Sequence, residues 1–257
     1  MENALLIGLS RQMVLGHELD IVANNIANID TTGFKVDHAS FSQYLMPGAR
    51  DGQFNGRDQR LSFVADGASW IDFSPGAIQH TGNPLDLAID GNAYLAVQTQ
   101  RGQRYTRNGS LAINGTGQLV TSDGDPVLGT GGPITLLPND HDVTISAKGI
   151  ITVRDGSGTT STTRGQLQIV GFDQPKRLQK DGGSTFLAPA GVNTVPPPQG
   201  TRVVQGALEK SNVRPIVEMA RMIEITRSYS DVAAILQQQG DMRRNSLQQL
   251  SQVPSTN

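Results

Sequence analysis

Residues 15–35 carry the pattern that most constrains the fold of this chain. Apolar residues recur there in steps of four, three, four and three, at Leu15, Leu19, Val22, Ile26 and Ile29. This spacing predicts an amphipathic helix with a narrow apolar seam, which a lone helix cannot bury by itself. The residues Thr31-Thr32-Gly33 then predict the end of that helix, with Gly33 in a left-handed conformation. The helix therefore needs a partner.

A matching pattern lies near the C-terminus, in a helix predicted from about residue 213 to residue 250. Its apolar seam has steps of three, four, three and four, at Met222, Ile225, Tyr229, Val232 and Leu236. Asn212 is suited to cap this helix, and Pro215 falls in its first turn, where a missing N–H group costs little. We expect the two seams to pair inside one subunit as a coiled coil.

Pairing the seams leaves apolar residues on both helices without cover. On the first helix, predicted over residues 3–30, they are Leu6, Leu9 and Met13; on the second they are Ile216, Met219 and Ile223. Uncovered apolar surface of this kind favours contacts with other subunits. The alternative is a helical hairpin packed on its own β domain, as in an ordinary α+β protein.

The residues between the helices predict strands. Residues 36–80 carry irregularly spaced aromatic residues among Gly, Asp and Ser, which indicates an extended, partly β arm or a surface loop region. From residue 81 to about 189, short alternating segments are separated by turn signals, and Asn108-Gly109 is a strong hairpin signal among them. This pattern predicts an antiparallel β domain. The fold class is therefore α+β. We expect four segments: 1–35, 36–80, 81–200 and 201–257.

Composition limits the possible partners. The chain has 257 residues with 21 basic and 23 acidic side chains and no basic run, which argues against nucleic acid as a partner. No apolar run reaches the roughly 18 residues that span a bilayer, so we expect no membrane insertion. Glu2 stands where a secretory signal carries positive charge, and no small-residue cleavage site follows. A cleaved signal peptide is therefore not expected.

No catalytic, cofactor or metal site is predicted. The chain has no cysteine, and its four histidines lack the neighbours that a metal site needs: His17, His38, His80 and His141. The sequence also lacks a G-x-S-x-G nucleophile motif. We therefore expect no enzyme activity and no cofactor.

Three motifs of this chain resemble those of one known family. The segment ANNIANIDTTGFK (23–35) closely resembles the N-terminal signature of bacterial flagellar rod and hook proteins. The segment GALEKSNVRPIVEMARMIEITRSY (206–229) resembles their C-terminal signature, and residues 82–129 resemble the core of their β domain. Two positions depart from the usual pattern: Ala93-Tyr94-Leu95, where Gly-Phe-Phe is typical, and Leu111, where Phe is usual. We expect the departures to alter packing in the β domain and to leave the terminal helices unchanged.

The resemblance implies a structural subunit of the flagellar basal-body rod. Such proteins are exported unfolded by the flagellar type III export apparatus and polymerise helically with copies of themselves and other rod proteins. The terminal helices would line the axial channel of a torque-transmitting tube in the periplasmic space, with the β domain outside. Length and opening residues favour the proximal part of the rod, and the distal part is the alternative.

The resemblance also suggests roles for three asparagines, Asn24, Asn25 and Asn28. We expect them to form hydrogen bonds between subunits or near the helix ends, and a solvated helix face is the alternative. Helices that find partners only in the assembly should be disordered in the free monomer. A different class of function, a secreted enzyme or binding β domain carried on oligomerising helices, needs a pocket that the sequence does not indicate.

Overall fold

Two long helices lie at the two ends of the chain in the computed structural model, which describes residues 2–47, 60–66, 69–155, 161–182 and 184–251. Helix α1 spans Glu2–Ala27 and helix α2 spans Pro215–Ser251. Pro215 stands at the first helical position, where a missing N–H group breaks no hydrogen bond of the helix. The predicted α+β class, with terminal helices and a central antiparallel β domain, is confirmed.

The described residues between the helices form 21 mostly short strands and one 3₁₀ turn at Pro175–Arg177. In chain order the strands are β1 (Asp37–His38), β2 (Phe41–Pro47), β3 (Arg60–Asp66), β4 (Trp70–Ile71), β5 (Ile78–His80), β6 (Leu87–Asp90), β7 (Tyr94–Thr99), β8 (Gly102–Thr106), β9 (Leu111–Ile113), β10 (Leu119–Thr121), β11 (Leu128–Gly129), β12 (Gly132–Pro133), β13 (Asp140–Ile145), β14 (Ile150–Asp155), β15 (Ser161–Gln166), β16 (Ile169–Phe172), β17 (Gln179–Lys180), β18 (Thr185–Leu187), β19 (Thr194–Val195), β20 (Arg202–Gln205) and β21 (Ala207–Glu209).

The chain divides into two compact units. The helical unit consists of Met1–Ile26, Asp37–Trp70 and Arg214–Asn257, and the β unit consists of Ala27–Val36 and Ile71–Val213. The chain therefore passes between the units four times. Residues 27–36 belong to the β unit although they follow α1 directly in the sequence. The four segments expected from the sequence stay a prediction.

An antiparallel six-stranded sheet forms the centre of the β unit, in the order β17-β18-β8-β7-β16-β19. Strand β7 is buried on both faces. Leu95 and Val97 contribute to a large aliphatic core, whereas Tyr94 and Ala96 contribute to a second core rich in aromatic residues. Strand β6 pairs with β20, and β5 pairs with β21. The return segment before α2 is thus part of the β unit.

Tyr94, which stands where Phe is typical of the family pattern, packs in the second core. The Tyr94 ring makes edge-on contacts with Phe73, Phe172 and Phe186 at centroid distances of 6.2, 5.4 and 5.9 Å. Edge-on aromatic contacts of this kind stabilise a core beyond their area burial. Burial raises the pKa of the Tyr94 hydroxyl. Phe73 also anchors the end of the predicted 36–80 arm in the β unit.

Other aromatic residues of that arm have different surroundings or lie outside the described side chains. Trp70, in the helical unit, is half exposed and stacks on His38 with centroids 4.5 Å apart. Strands β2 and β3, which carry Phe41, Tyr44 and Phe63, pair as an antiparallel ribbon. Phe54 lies outside the described residues. The arm is therefore partly β in its described part.

The hairpin expected at Asn108-Gly109 does not form. Strand β8 pairs with β7 and β18, while β9 pairs with β10, so the strands on either side of this dipeptide are not partners. The carbonyl of Gly109 instead accepts a hydrogen bond from the Leu87 N–H at 2.9 Å. A Cβ on Gly109 would lie 1.7 Å from the Leu87 carbonyl oxygen. Glycine is needed here for close backbone approach, which local sequence cannot distinguish from a turn.

The segment that follows α1 turns sharply into the β unit. Helix α1 ends at Ala27, and the side chain of Asn28 accepts a hydrogen bond from the Thr31 hydroxyl at 3.0 Å. Short polar side chains of this kind compete with helical hydrogen bonds. Gly33 has a φ of 69°, as the sequence predicts, and its N–H donates to the Glu209 carbonyl at 2.8 Å.

Replacing Gly33 with Ala should strongly destabilise the β unit. A Cβ there would lie 2.5 Å from the Arg107 carbonyl carbon and from the Asn108 nitrogen, and the φ is unfavourable for any other residue. We expect the free energy of unfolding to fall by more than about 2 kcal/mol. Urea unfolding followed by near-ultraviolet circular dichroism measures this loss.

Gly115→Ala is the matched control, since a Cβ on Gly115 meets nothing within 4 Å. Equal stability of the two variants would contradict the proposed role of Gly33.

Candidate assembly site

The two terminal helices pack against each other inside the helical unit. Their contact cluster is centred on the buried residues Leu15, Val22 and Ile225. Partly buried residues complete it: Leu19, Ile26, Met222 and Val232. All seven belong to the seams predicted from the heptad steps. Each fully buried apolar side chain contributes about 1.5–3 kcal/mol, so this cluster holds the two helices together.

Contacts along the seam show that α1 and α2 run antiparallel. Gly8 faces Leu236, because a Cβ on Gly8 would lie 2.5 Å from the Leu236 Cδ2 atom. Further along α1, Glu18 accepts a hydrogen bond at 2.7 Å from Arg221, which lies earlier in α2. Arg221 therefore binds across the helix pair. Gly8 allows the two helices to approach closely at their other end.

Asn25 is buried in the helical unit and binds three groups there. Its amide nitrogen donates to the Asp37 carbonyl at 2.8 Å and to the Glu218 carboxylate at 3.2 Å, and its oxygen accepts from the Asp37 N–H at 3.0 Å. Glu218 is also buried. Asn25 thus joins α1, α2 and the start of the 37–70 segment. The sequence carries no signal that Glu218 is the partner of Asn25, because the two residues are far apart in the chain.

The apolar residues predicted to remain uncovered are exposed wherever their side chains are described. The exposed fractions are 46% for Leu9, 69% for Met13, 83% for Ile216, 50% for Met219 and 56% for Ile223. Leu6 lies in α1, but its side chain is outside the described part of the structure. Two residues predicted for the seam of α2 remain to be placed. Tyr229 is 37% exposed, and Leu236 is partly buried.

The remaining predicted interface residues lie near the end of α1. Asn24 is exposed on the helix, and Asn28 is partly buried just beyond it. Ile29, expected as the last seam residue, lies outside α1 and packs against Phe34, Val36 and Val213 in the β unit. The seam contacts therefore end at Ile26, because the chain leaves the helix after Ala27.

A buried ionic network holds residues 27–36 in the β unit. The Glu209 carboxylate accepts hydrogen bonds from the Lys35 ammonium at 2.6 Å, the Arg107 Nε–H at 2.6 Å and the Gly76 N–H at 2.8 Å. Lys35, Arg107 and Glu209 are almost wholly inaccessible to solvent. Buried charges are tolerated only when they are paired and hydrogen-bonded in this way.

Backbone carbonyls satisfy the rest of the network. Arg107 donates to the carbonyls of Ile89, Gly91 and Ala93 at 2.8–3.0 Å, and Lys35 donates to the Ser74 carbonyl at 2.7 Å. Burial lowers the pKa of Lys35, and the neighbouring Glu209 carboxylate opposes that shift. Each of the three charged residues stands in one of the three motifs noted in the sequence. Their mutual contact gives no local sequence signal.

Asn212 adds neutral hydrogen bonds beside this network. Its side-chain oxygen accepts from the Val36 N–H at 2.8 Å, and its amide nitrogen donates to the Asp72 carbonyl at 2.9 Å. The expected role of Asn212 as a helix cap is therefore replaced by a role in joining three segments of the β unit. An Asn side chain can do this because it offers both donors and an acceptor.

Two concave regions of the β unit bear on the alternative of an enzyme or binding module. A cavity of about 310 Å³ includes Lys148, Gln166 and Arg202 in its lining, and an open groove of about 700 Å³ includes Asp140 and His141. Arg164 binds Asp140 through two hydrogen bonds, which lower the pKa of that carboxyl. Among the described residues, no three His, Asp or Glu side chains are placed to hold a metal ion. Within the same residues, no helix is long and apolar enough to cross a membrane.

Three family profiles match this chain in succession. They are described as a flagella basal body rod protein, over residues 5–35, a flagellar hook protein FlgE/F/G D1 domain, over residues 88–153, and a flagellar basal body rod FlgEFG protein C-terminal region, over residues 204–250. The first and last cover much of α1 and α2, and the middle one covers strands β7 to β13.

Similar proteins match over nearly the whole chain. The flagellar basal-body rod protein FlgF of Caulobacter vibrioides is 38% identical over 257 residues, covering 98% of this chain and 100% of the relative. FlgF of Mesorhizobium japonicum is 31% identical, covering 93% of both chains. The flagellar basal-body rod protein FlgG of Bacillus subtilis is 33% identical, covering 92% of this chain and 94% of the relative.

Replacing Glu209 with Gln should destabilise the β unit because it leaves two buried cations without a counter-charge. Breaking a buried pair by removing one partner costs about 3–5 kcal/mol. We expect a loss of that size in the free energy of unfolding, measured by urea denaturation.

Asp90→Asn is the control, since Asp90 forms an exposed ion pair with Arg202 on neighbouring strands. That substitution should cost no more than about 1 kcal/mol. A Glu209→Gln variant as stable as the control would show that the network contributes little.

Proposed function

This chain belongs to the flagellar basal-body rod protein family and is a structural subunit of the bacterial flagellar rod, and on that premise we propose that it occupies the proximal part of the rod. Relatives named FlgF that are 31–38% identical over most of the chain support this position. The alternative is the distal part, which the similarity to FlgG at 33% identity favours.

The proposed assembly rests on one observation: apolar side chains are exposed on both terminal helices. The side chains of five residues remain 46–83% exposed after the seam between the helices has formed: Leu9, Met13, Ile216, Met219 and Ile223. Large exposed apolar patches typically mark protein interaction sites. We propose that these residues bind neighbouring subunits, and that α1 and α2 form the coiled coil expected from their heptad steps.

Torque transmission is supported by the way the chain connects its two units. The backbone passes between the units at residues 26–27, 36–37, 70–71 and 213–214. Asn25 binds both backbone groups of Asp37 on the helical side of one connection, and Asn212 binds Val36 and Asp72 on the β side. Several hydrogen-bonded connections resist twisting better than one flexible linker. We propose that a load on one unit passes to the other through these segments.

The further elements of the proposal follow from the assembly of rod proteins. The chain would act in the periplasmic space with copies of itself and other rod components, after delivery by the flagellar type III export apparatus without a cleaved signal peptide. The helices would line the channel of the tube. A structural role needs no chemistry, so we propose that the chain has no enzyme activity and no cofactor.

Loss of this chain should abolish motility. A deletion strain should lack complete basal bodies by electron microscopy and should not swim, and the wild-type chain should restore both. The double variant Met219→Glu with Ile223→Glu should fail to restore swimming, because charges in a buried subunit contact are strongly unfavourable.

Met242→Glu, at a position that is 52% exposed, should restore swimming as the wild type does. A deletion strain that still swims would favour the alternative of an accessory enzyme or binding module on oligomerising helices.

The terminal helices should gain their full order only in the assembly. The described contact cluster between them has three buried side chains, and isolated helices are marginal in water. Limited proteolysis of the purified monomer should therefore remove much of α1 and α2. Mass spectrometry should find a resistant core that includes Lys35 and Glu209.

If the whole monomer resists proteolysis, the terminal helices are already ordered before assembly, and the prediction is wrong. That result would favour the alternative of a self-contained α+β protein.

A further inference from the structure

Residues 27–36, which we call the strap, follow α1 in the sequence but bind a segment near the other end of the chain. The Gly33 N–H donates to the Glu209 carbonyl at 2.8 Å. The Val36 N–H donates to the side-chain oxygen of Asn212, also at 2.8 Å. The strap therefore cannot bind the β unit in full until the segment that carries Glu209 and Asn212 is in place.

Other partners of the strap come from the middle of the chain. The Thr32 hydroxyl donates to the Asn108 side chain at 2.6 Å. The Lys180 ammonium donates to the Lys35 carbonyl at 2.8 Å. These hydrogen bonds do not involve the Glu209 segment, so by themselves they would allow the strap to bind early.

The charge of Lys35 makes early binding unfavourable. Binding of the strap buries the Lys35 ammonium in the site where the Arg107 guanidinium is also buried. Burial lowers the pKa of Lys35, and the positive charge of Arg107 lowers it further, so the two cations are close enough to repel each other. Two like charges that have left water need an acid between them.

Glu209 is the acid that removes this repulsion. Its carboxylate accepts hydrogen bonds from Lys35 and Arg107, each at 2.6 Å. Asp72 also attracts Lys35, but more weakly, and its carboxylate accepts from the Ser74 N–H and hydroxyl at 2.9 and 3.0 Å. Binding of the strap is therefore favourable only when Glu209 has reached the site.

We propose that Glu209 controls when the strap binds, so that the strap joins the β unit last. The six-stranded sheet needs no residue of the strap, because its strands lie between Tyr94 and Val195. Strand β21, which carries Glu209, pairs with β5 and likewise uses no residue of the strap. The sheet and this strand pair can therefore form first, and the strap then completes the β unit.

This order has a consequence for export, which rests on the proposed delivery of the unfolded chain by the flagellar apparatus. While any residue between the strap and Glu209 is inside a narrow channel, the two segments lie on opposite sides of it. The strap then cannot bind, whichever end of the chain leads. Binding of the strap therefore follows complete passage of residues 27–209, and Lys35 stays in water until then.

Pulses of chymotrypsin during refolding test the order. The bond after Phe34 reports the strap, and the bond after Tyr105 in β8 reports the six-stranded sheet, because both rings are buried in the folded chain. The full wild-type chain is refolded from urea, cut briefly at successive times and analysed by mass spectrometry. Protection after Tyr105 should appear about tenfold sooner than protection after Phe34. Simultaneous protection, or earlier protection after Phe34, would overturn the proposed order.

The variant Glu209→Gln tests the charge while strand β21 keeps its backbone. After refolding, the bond after Tyr105 should be protected as in the wild type. The bond after Phe34 should be cut at least about tenfold faster than in the wild type. Loss of protection at both bonds would also overturn the inference, because the sheet would then depend on the strap.

The double variant Lys35→Met with Glu209→Gln tests the repulsion itself. Methionine keeps a long unbranched side chain without the charge, so binding of the strap no longer brings two cations together. Cleavage after Phe34 should be about tenfold slower than in Glu209→Gln alone. Lys148→Met with Glu209→Gln is the matched control, since Lys148 is exposed, and it should give no such slowing. Equal cleavage rates in Glu209→Gln and in the Lys35 double variant would show that repulsion does not control the strap.

These outcomes are separate from the rod role. Refolding in the wrong order would overturn the control by Glu209 and leave the structural role intact. A deletion strain that still swims would overturn the rod role and the consequence for export, and would leave the order of refolding unaffected.

Discussion

The Glu209 carboxylate lies between two buried cations, Lys35 and Arg107. The placement of residues 27–36 in the β unit depends on this contact. Lys35 reaches the carboxylate from the end of the first motif, Arg107 from the β domain, and Glu209 itself stands on the last strand before α2. One carboxylate therefore brings together three parts of the chain that are remote in sequence. Because the three charges are inaccessible to water, loss of Glu209 leaves both cations without a counter-charge. The backbone bond from Gly33 to Glu209 fixes the same junction without charge.

The two units of the chain differ in how much of their apolar surface they bury by themselves. The β unit has two large cores and a satisfied ionic network, so it can be stable by itself. The helical unit has a small seam cluster, and its outer faces remain apolar. The β unit therefore buries its own apolar side chains, whereas the helical unit leaves apolar side chains exposed on both helices. This division fits the proposed assembly, in which neighbouring subunits would cover the exposed faces of the helices.

The sequence alone predicted the terminal helices, their seam residues, the exposed apolar residues beside the seams and the antiparallel β domain, because heptad steps and turn residues are local signals. It also predicted the left-handed Gly33 and, by resemblance, the family. The tertiary structure decided the rest. Asn25 and Asn212 have local sequences typical of a helix face and a helix cap, yet they bind backbone groups from distant segments. Asn108-Gly109 has the sequence of a hairpin but is a close backbone crossing. Lys35, Arg107 and Glu209 look like ordinary surface charges until the fold buries them together, because a charge's partner is set by contacts between remote residues and leaves no periodic trace in the chain.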